Sequence, residues 1–74
     1  MPKPIPFRLV IKTLIKKGFF LVSQNGSHVK YRKIGDITLN VIVPVHEKDI
    51  RYGTFRSILR QSNLEEKDFE KKKR

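Results

Sequence analysis

The sequence predicts an α+β domain in which a helix, three antiparallel strands and a second helix follow one another. Residues 7–17 carry apolar side chains at helical spacing, residues 19–43 contain three strand-like segments separated by turn residues, and residues 54–63 form a second amphipathic segment. Both helices need an apolar surface, and one face of the small sheet is the surface available. We therefore expect two helices on one face of the sheet, with the other face open to water or to a partner.

The first helix is expected to follow an extended, proline-rich N-terminus at residues 1–6. Pro6 suits the first helical turn, where a missing N–H costs nothing. Gly18 is expected to end the helix. The apolar side chains that share one helical face are Val10, Ile11, Leu14 and Ile15.

Turn residues divide the next segment into strands. Asn25-Gly26 is typical of a two-residue hairpin, and Gly35-Asp36 predicts a second turn. Pairing is expected to stop at Pro44, which has no N–H to donate. The predicted strands are residues 19–24, 27–33 and 37–43. Phe19, Phe20 and Phe55 are interpreted as core residues.

The second helix is expected after a polar loop at residues 46–53, with Thr54 as its N-cap. Asn63 can adopt the left-handed conformation that closes a helix. Residues 65–69 are expected to add a short helical turn. The core-facing positions are Phe55, Ile58, Leu59 and Ser62. With 74 residues, the chain is interpreted as one domain ending in a basic tail at residues 71–74.

Charge is the strongest feature of the composition. The chain has 17 Lys and Arg against 7 Asp and Glu, a formal net charge of +10, and its first acidic residue is Asp36. Such a basic half favours a polyanionic partner, most often nucleic acid. The absence of cysteine argues against disulfides and zinc–thiolate sites, and no apolar run is long enough to cross a bilayer. We therefore expect a cytoplasmic protein with no membrane partner.

The predicted strands place a histidine beside two cations. Alternation puts His28, Lys30 and Arg32 on one face and Val29 and Tyr31 on the other. The third strand directs one apolar series, Ile37, Leu39, Val41 and Val43, toward a single side. Matching the apolar faces makes Val29 and Tyr31 part of the core. His28 and its two basic neighbours are therefore expected to point outward together.

This arrangement suits RNA cleavage, because RNA carries its own nucleophile, the ribose 2′-hydroxyl. His28 can accept or donate a proton near neutral pH. Lys30 and Arg32 can hold the phosphate, and backbone N–H groups at Gly26 and Ser27 can stabilise the developing oxyanion. We expect no metal and no cofactor, since the chain has two histidines and no carboxylate cluster near His28. A lone histidine on a strand is, by itself, more often an ordinary surface residue.

Four further residues are weaker candidates. His46 could assist the chemistry or orient its loop, and Thr54 could receive a phosphate at the helix N-terminus or serve as a cap. Arg56 and Arg60 are four residues apart and form a basic stripe, which either contacts the RNA backbone or keeps the helix soluble.

Three segments resemble a known family, the HicA toxins. They are residues 18–31, which contain a Gly-Phe strand and a Gly-Ser-His turn followed by tyrosine; residues 43–46, Val-Pro-Val-His; and residues 53–61, which match a Gly-Thr-x-Arg-Ser-Ile-Leu-x-Gln helix. Three motifs in order over nearly the whole chain make the resemblance specific. The chain departs from the family's usual pattern at Pro4-Ile5-Pro6, where a polar cap is common, and at Asn63, where glycine is common.

The resemblance implies a fold like a double-stranded-RNA-binding domain and the activity of a ribosome-independent mRNA interferase. It also implies that His28 is catalytic and that a HicB-type antitoxin, expected to be acidic, covers the site. Two other functions fit the residues. A non-catalytic RNA-binding module of the same fold would recognise duplex shape without cutting. A protein-interaction domain would use the basic face for an acidic partner only.

Overall fold

The computed structural model describes residues 4–45 and 48–70 and confirms the predicted succession of a helix, three strands and a helix. It adds a short strand before the first helix, another before the second, and a 3₁₀ helix near the C-terminus. The elements are β1 (Ile5–Pro6), α1 (Phe7–Lys16), β2 (Phe20–Asn25), β3 (His28–Lys33), β4 (Leu39–Pro44), β5 (Asp49–Ile50), α2 (Tyr52–Ser62) and the 3₁₀ helix (Glu66–Phe69). No helix among the described residues has the length and apolar character needed to span a membrane.

The three longer strands form an antiparallel sheet in the order β2-β3-β4. The hairpin between β2 and β3 turns through Gly26 and Ser27, because Asn25 already pairs with His28. The prediction of an Asn25-Gly26 turn was therefore wrong by one residue. Gly26 has a φ of 61°, whereas Ser27 has a negative φ, which fits a type II′ turn with glycine in its first central position.

Strand β2 contains a bulge that changes which side chains face outward. The register passes from Leu21 opposite Tyr31 to Ser23 opposite Lys30, so Val22 is an extra residue. Without it, alternation would place Phe20 on the same face as Tyr31. The extra residue moves the Phe20 side chain to the opposite face of the sheet. Phe20 therefore pairs with Arg32 and is 47% exposed, so the prediction that it belongs to the core was wrong.

The core lies between one face of the sheet and the two helices. Val29 and Tyr31 of β3 are buried, as predicted, together with Val41 and Val43 of β4. The other members of this core are Val10, Leu14, Phe19, Ile50, Phe55, Ile58 and Phe69.

Two apolar residues lie outside the core in spite of the sequence pattern. Ile37 is exposed because β4 begins at Leu39, so Ile37 belongs to the connecting loop and not to the paired strand. Ile15 is 56% exposed on the last turn of α1. Leu21 of β2, which pairs with Tyr31 on the inner face, is also 54% exposed.

Helix α1 ends where the sequence predicts. Lys17 is the C-cap and Gly18 follows with a φ of 101°, a conformation that L side chains rarely adopt. A side chain at Gly18 would also crowd Lys33, whose Cε lies 3.3 Å from the position of an added Cβ. Gly18 therefore permits the sharp turn that brings Phe19 back into the core.

Helix α2 begins three residues earlier than predicted. Its N-cap is Arg51, whose carbonyl oxygen accepts a hydrogen bond from the Phe55 N–H at 2.8 Å. Thr54 is therefore the third residue of the helix, and the prediction that it is the N-cap was wrong. Asn63 closes the helix with a φ of 63°, as predicted.

The short elements attach the segments before α1 and after α2 to the rest of the fold. β1 pairs with β5, placing Ile5 opposite Ile50. The 3₁₀ helix confirms the predicted final helical turn, and its Phe69 ring packs edge-on against Phe55 with centroids 5.1 Å apart. Asp68 joins this helix to α1, because Asp68 Oδ1 lies 3.4 Å from Lys17 Nζ.

Candidate nucleic-acid interface

The face of the sheet turned away from the helices is called the outer face here. Strand register arranges its side chains in three rows. The first row is Asn25, His28 and Pro44; the second is Ser23, Lys30 and Ile42; the third is Phe20, Arg32 and Asn40. Successive rows are about 7 Å apart, two residues along a strand. None of these nine described side chains is acidic, so the outer face has a net positive charge.

His28 occupies the first row, immediately after the hairpin turn. Its side chain is exposed, as predicted, and its Nδ1 lies 3.5 Å from Ser27 Oγ. When Nδ1 carries the proton and donates to that hydroxyl, the lone pair on Nε2 is available to accept another proton. The local geometry thus permits the tautomer that a general base needs.

A depression of about 350 Å³ adjoins His28 on the outer face. Lys30 contributes to its lining from the second row, so the imidazole and a cation face the same space. The full lining is Ser23, Asn25, His28, Val29, Lys30 and Ile42. This space can receive a phosphate group between a proton acceptor and a cation.

Arg32 lies one row beyond this depression. Its Nε donates a hydrogen bond to Asn40 Oδ1 at 2.8 Å, which orients the guanidinium. The four N–H groups on the two Nη atoms have no protein acceptor among the described residues. They can therefore bind a phosphate or the edge of a base.

The hairpin turn holds Gly26 and Ser27 next to His28. The Ser27 carbonyl oxygen accepts a hydrogen bond from the Val45 N–H at 2.7 Å, which ties the turn to the end of β4. Nothing lies within 4 Å of the position a Cβ would take on Gly26. The backbone of the turn is thus anchored on one side and open at its tip.

The remaining sequence candidates are not brought to the outer face. His46 lies outside the described residues. Thr54, Arg56 and Arg60 belong to α2, which packs on the inner side of the sheet. Gln61 reaches the edge of β4, where its Oε1 accepts a hydrogen bond from the Ile42 N–H at 2.9 Å. Arg60 and Arg56 project about 100° and 140° around the helix from Gln61, so neither points in the same direction.

Several outer-face residues were missed by sequence reasoning. Ser23 and Ile42 could have been found by pairing the predicted strands with the strand of His28 and Lys30, because cross-strand partners share a face. Asn40 could have been placed beside Arg32 in the same way. Asn25 was missed because the prediction assigned it to the turn, whereas it pairs with His28. Phe20 carried no such signal, because only the bulge places it on this face.

In the described part of the chain, no three His, Asp or Glu side chains lie close enough together to form a metal site.

Comparison with known proteins identifies the family of this chain. A family model described as the HicA toxin of bacterial toxin-antitoxin matches residues 7–64. A search of curated proteins finds no match. The matched segment contains α1, the whole three-stranded sheet and α2, and the fold is consistent with that of a double-stranded-RNA-binding domain. The chain therefore belongs to the HicA family of toxins from toxin–antitoxin systems.

Proposed function

We propose that this toxin is a ribosome-independent mRNA interferase, a metal-independent endoribonuclease in which His28 is the catalytic residue. The observation that carries the proposal is the exposed imidazole of His28 beside Lys30 in one depression on a face without acidic side chains. A polyanion is attracted to such a face, and an imidazole nitrogen can accept a proton from a ribose hydroxyl. An mRNA substrate would place this activity in the cytoplasm.

The chemistry begins with the ribose 2′-hydroxyl next to the bond that breaks. His28 Nε2 takes the hydroxyl proton while the 2′-oxygen forms a bond to phosphorus and the bond from phosphorus to the 5′-oxygen breaks. Lys30 and the backbone N–H groups of the hairpin turn stabilise the added negative charge on the phosphate. The products are a 2′,3′-cyclic phosphate and a 5′-hydroxyl, and the departing oxygen takes its proton from water, Lys30 or His46.

Two sets of basic residues have different roles in this proposal. Lys30 contacts the phosphate whose bond breaks, and Arg32, one row farther from His28, contacts a neighbouring phosphate. Arg56 and Arg60 lie in the other layer, so we place them outside the contact with the nucleotides nearest His28. Thr54 is likewise a structural residue of α2 in this proposal.

The partner is a HicB-type antitoxin with an acidic surface that covers the outer face. Family membership supports an antitoxin partner, and the charge of the outer face favours acidic side chains on it. Covering the depression would keep RNA away from His28. Co-expression with the acidic product of an adjacent gene is expected to restore growth, and loss of RNA cleavage in the purified complex would confirm inhibition.

The direct test is cleavage of an end-labelled RNA in the presence of a metal chelator. We expect His28→Ala to lower the single-turnover rate by about a hundredfold or more, the contribution typical of a general base. Lys12→Ala is the matched control because Lys12 is exposed on α1, and it should cleave at the wild-type rate. If His28→Ala cleaves as fast as the wild type, or if the chelator abolishes cleavage by the wild type, the proposal is wrong.

A further inference from the structure

Phe20 is an aromatic side chain on the outer face that the proposed chemistry does not use. Its ring is 47% exposed, whereas the neighbouring Phe19 is almost completely buried. It belongs to the third row, directly across from Arg32. Large aromatic side chains usually contribute to cores or to binding surfaces, and the core is complete without this one.

The bulge at Val22 is the reason that Phe20 faces outward. Regular pairing from Asn25 and His28 would turn Phe20 toward the helices and would place Leu21 beside Arg32. Bulges commonly redirect side chains next to functional sites. Here the irregularity replaces an aliphatic side chain on the outer face with an aromatic ring, two rows from the imidazole.

The chemistry of the third row matches an unpaired nucleobase. An exposed aromatic ring can stack on the flat face of a base, as it does in proteins that bind single strands. Arg32 is already oriented by Asn40, and its Nη groups can bind the adjoining phosphate or a base edge. The face carries Lys30 and Arg32 without an acidic residue, which complements a nucleic-acid backbone.

We infer that Phe20, Arg32 and Asn40 form a subsite that stacks one unpaired base of the substrate, so that the substrate is single-stranded RNA. The inference rests on the proposed function, because it assumes that the outer face binds RNA. The third row is about 13 Å from His28 along the sheet, so the stacked base lies outside the nucleotide that is cut. A base in a duplex is covered by its neighbours and cannot reach Phe20 in this way.

The test measures binding without cleavage. A His28→Ala protein is titrated into a fluorescently labelled single-stranded RNA oligonucleotide and, separately, into a duplex containing the same strand. Adding Phe20→Leu should weaken single-strand binding by about tenfold, within the range for loss of one aromatic–base stack. Phe20→Trp should restore most of the affinity, because it retains an aromatic surface. Binding of the duplex should be unaffected by either change.

Leu21→Ala is the matched control. Leu21 is the adjacent residue with similar exposure, and it pairs with Tyr31 on the opposite face, so its removal should leave RNA affinity unchanged. Circular dichroism of each variant checks that the sheet remains folded. Equal affinities for Phe20→Leu and its parent, or equal losses for Phe20→Leu and Leu21→Ala, would overturn the subsite.

The test also separates this inference from the proposed function. Cleavage by the His28→Ala protein would contradict the proposed chemistry, and the binding comparison would then use RNA with 2′-O-methyl groups, which lacks the nucleophile. If Phe20→Leu weakens binding of the antitoxin and leaves RNA affinity unchanged, the third row is a protein-docking surface and the inference is wrong.

Discussion

The salt dependence of RNA binding tests which cations contact the substrate. In the proposed site, the outer face supplies two of them, Lys30 and Arg32. Each phosphate contact with a single strand contributes about −0.7 to the slope of log affinity against log salt, so two contacts predict a slope of about −1.4. Raising the salt concentration from about 50 to about 200 mM should then weaken binding by about sevenfold.

Replacing Lys30 with alanine should remove one of these contacts. The slope should become less steep, at about −0.7, and the same increase in salt should weaken binding by about threefold. The assay is the fluorescence titration described above, repeated at several salt concentrations with a His28→Ala protein so that the RNA remains intact. Adding Arg56→Ala to that protein serves as the comparison, because Arg56 is exposed on α2 in the other layer, and its slope should remain at about −1.4.

Two results would refute this reasoning. A slope several times steeper would mean that RNA contacts many more cations than the outer face supplies. A reduction for Arg56→Ala equal to that for Lys30→Ala would mean that RNA extends over α2. In either case the binding surface would have to be redrawn to include the helical layer.

Three further predictions concern stability. Gln61→Ala should lower the free energy of unfolding by about 1 kcal/mol in urea titrations, because the hydrogen bond from the Ile42 N–H to Gln61 Oε1 is lost; an unchanged midpoint would contradict this. Leu14→Ala should cost about 2 to 5 kcal/mol in the same assay, since the side chain is completely buried, and a smaller loss would mean that the core closes around the gap. The pKa of Asp68 lies below its ordinary value of 3.8, mainly because the Glu65 N–H donates to its carboxylate and also because Lys17 lies beside it. Its stabilising effect is therefore present above pH 3.8 and disappears as the pH falls through the lowered pKa. Thermal unfolding should show Asp68→Asn less stable than the wild type at neutral pH and equal to it in strong acid, and an equal difference at both pH values would contradict the assignment.

Much of the outer face could be predicted because alternation along a strand is a local property. Once Val29 and Tyr31 were assigned to the core, His28, Lys30 and Arg32 had to share the other face. The short hairpin at Gly26 then limited which residues of β2 could lie opposite them. The main features of the candidate site thus followed from strand geometry and one turn.

The position of Phe20 could not be predicted in this way. Residues 19–22 are all apolar. The segment therefore has no alternation of apolar and polar residues to show which side chains face the core. The bulge becomes evident from the pairing of β2 with β3, which involves residues distant in sequence. The sequence pattern therefore concealed the aromatic residue on which the substrate inference depends.

The start of α2 was misplaced for a related reason. Thr54 is a residue type that favours N-caps, but the Tyr52 and Phe55 rings lie 6.2 Å apart and both pack against the core. This packing favours a helix that begins at Tyr52. The pairing of β1 with β5 was also missed, since a strand of two residues has no periodicity to detect.

The chemical identity of the cleaved ends tests the central claim most directly. Mass spectrometry of a short RNA after cleavage by the wild-type protein, with a chelator present, should find a 2′,3′-cyclic phosphate on one fragment and a 5′-hydroxyl on the other. These ends are expected when His28 removes the ribose proton and the RNA supplies its own nucleophile. A 3′-hydroxyl paired with a 5′-phosphate would mean that water attacks the phosphorus, and it would contradict the account.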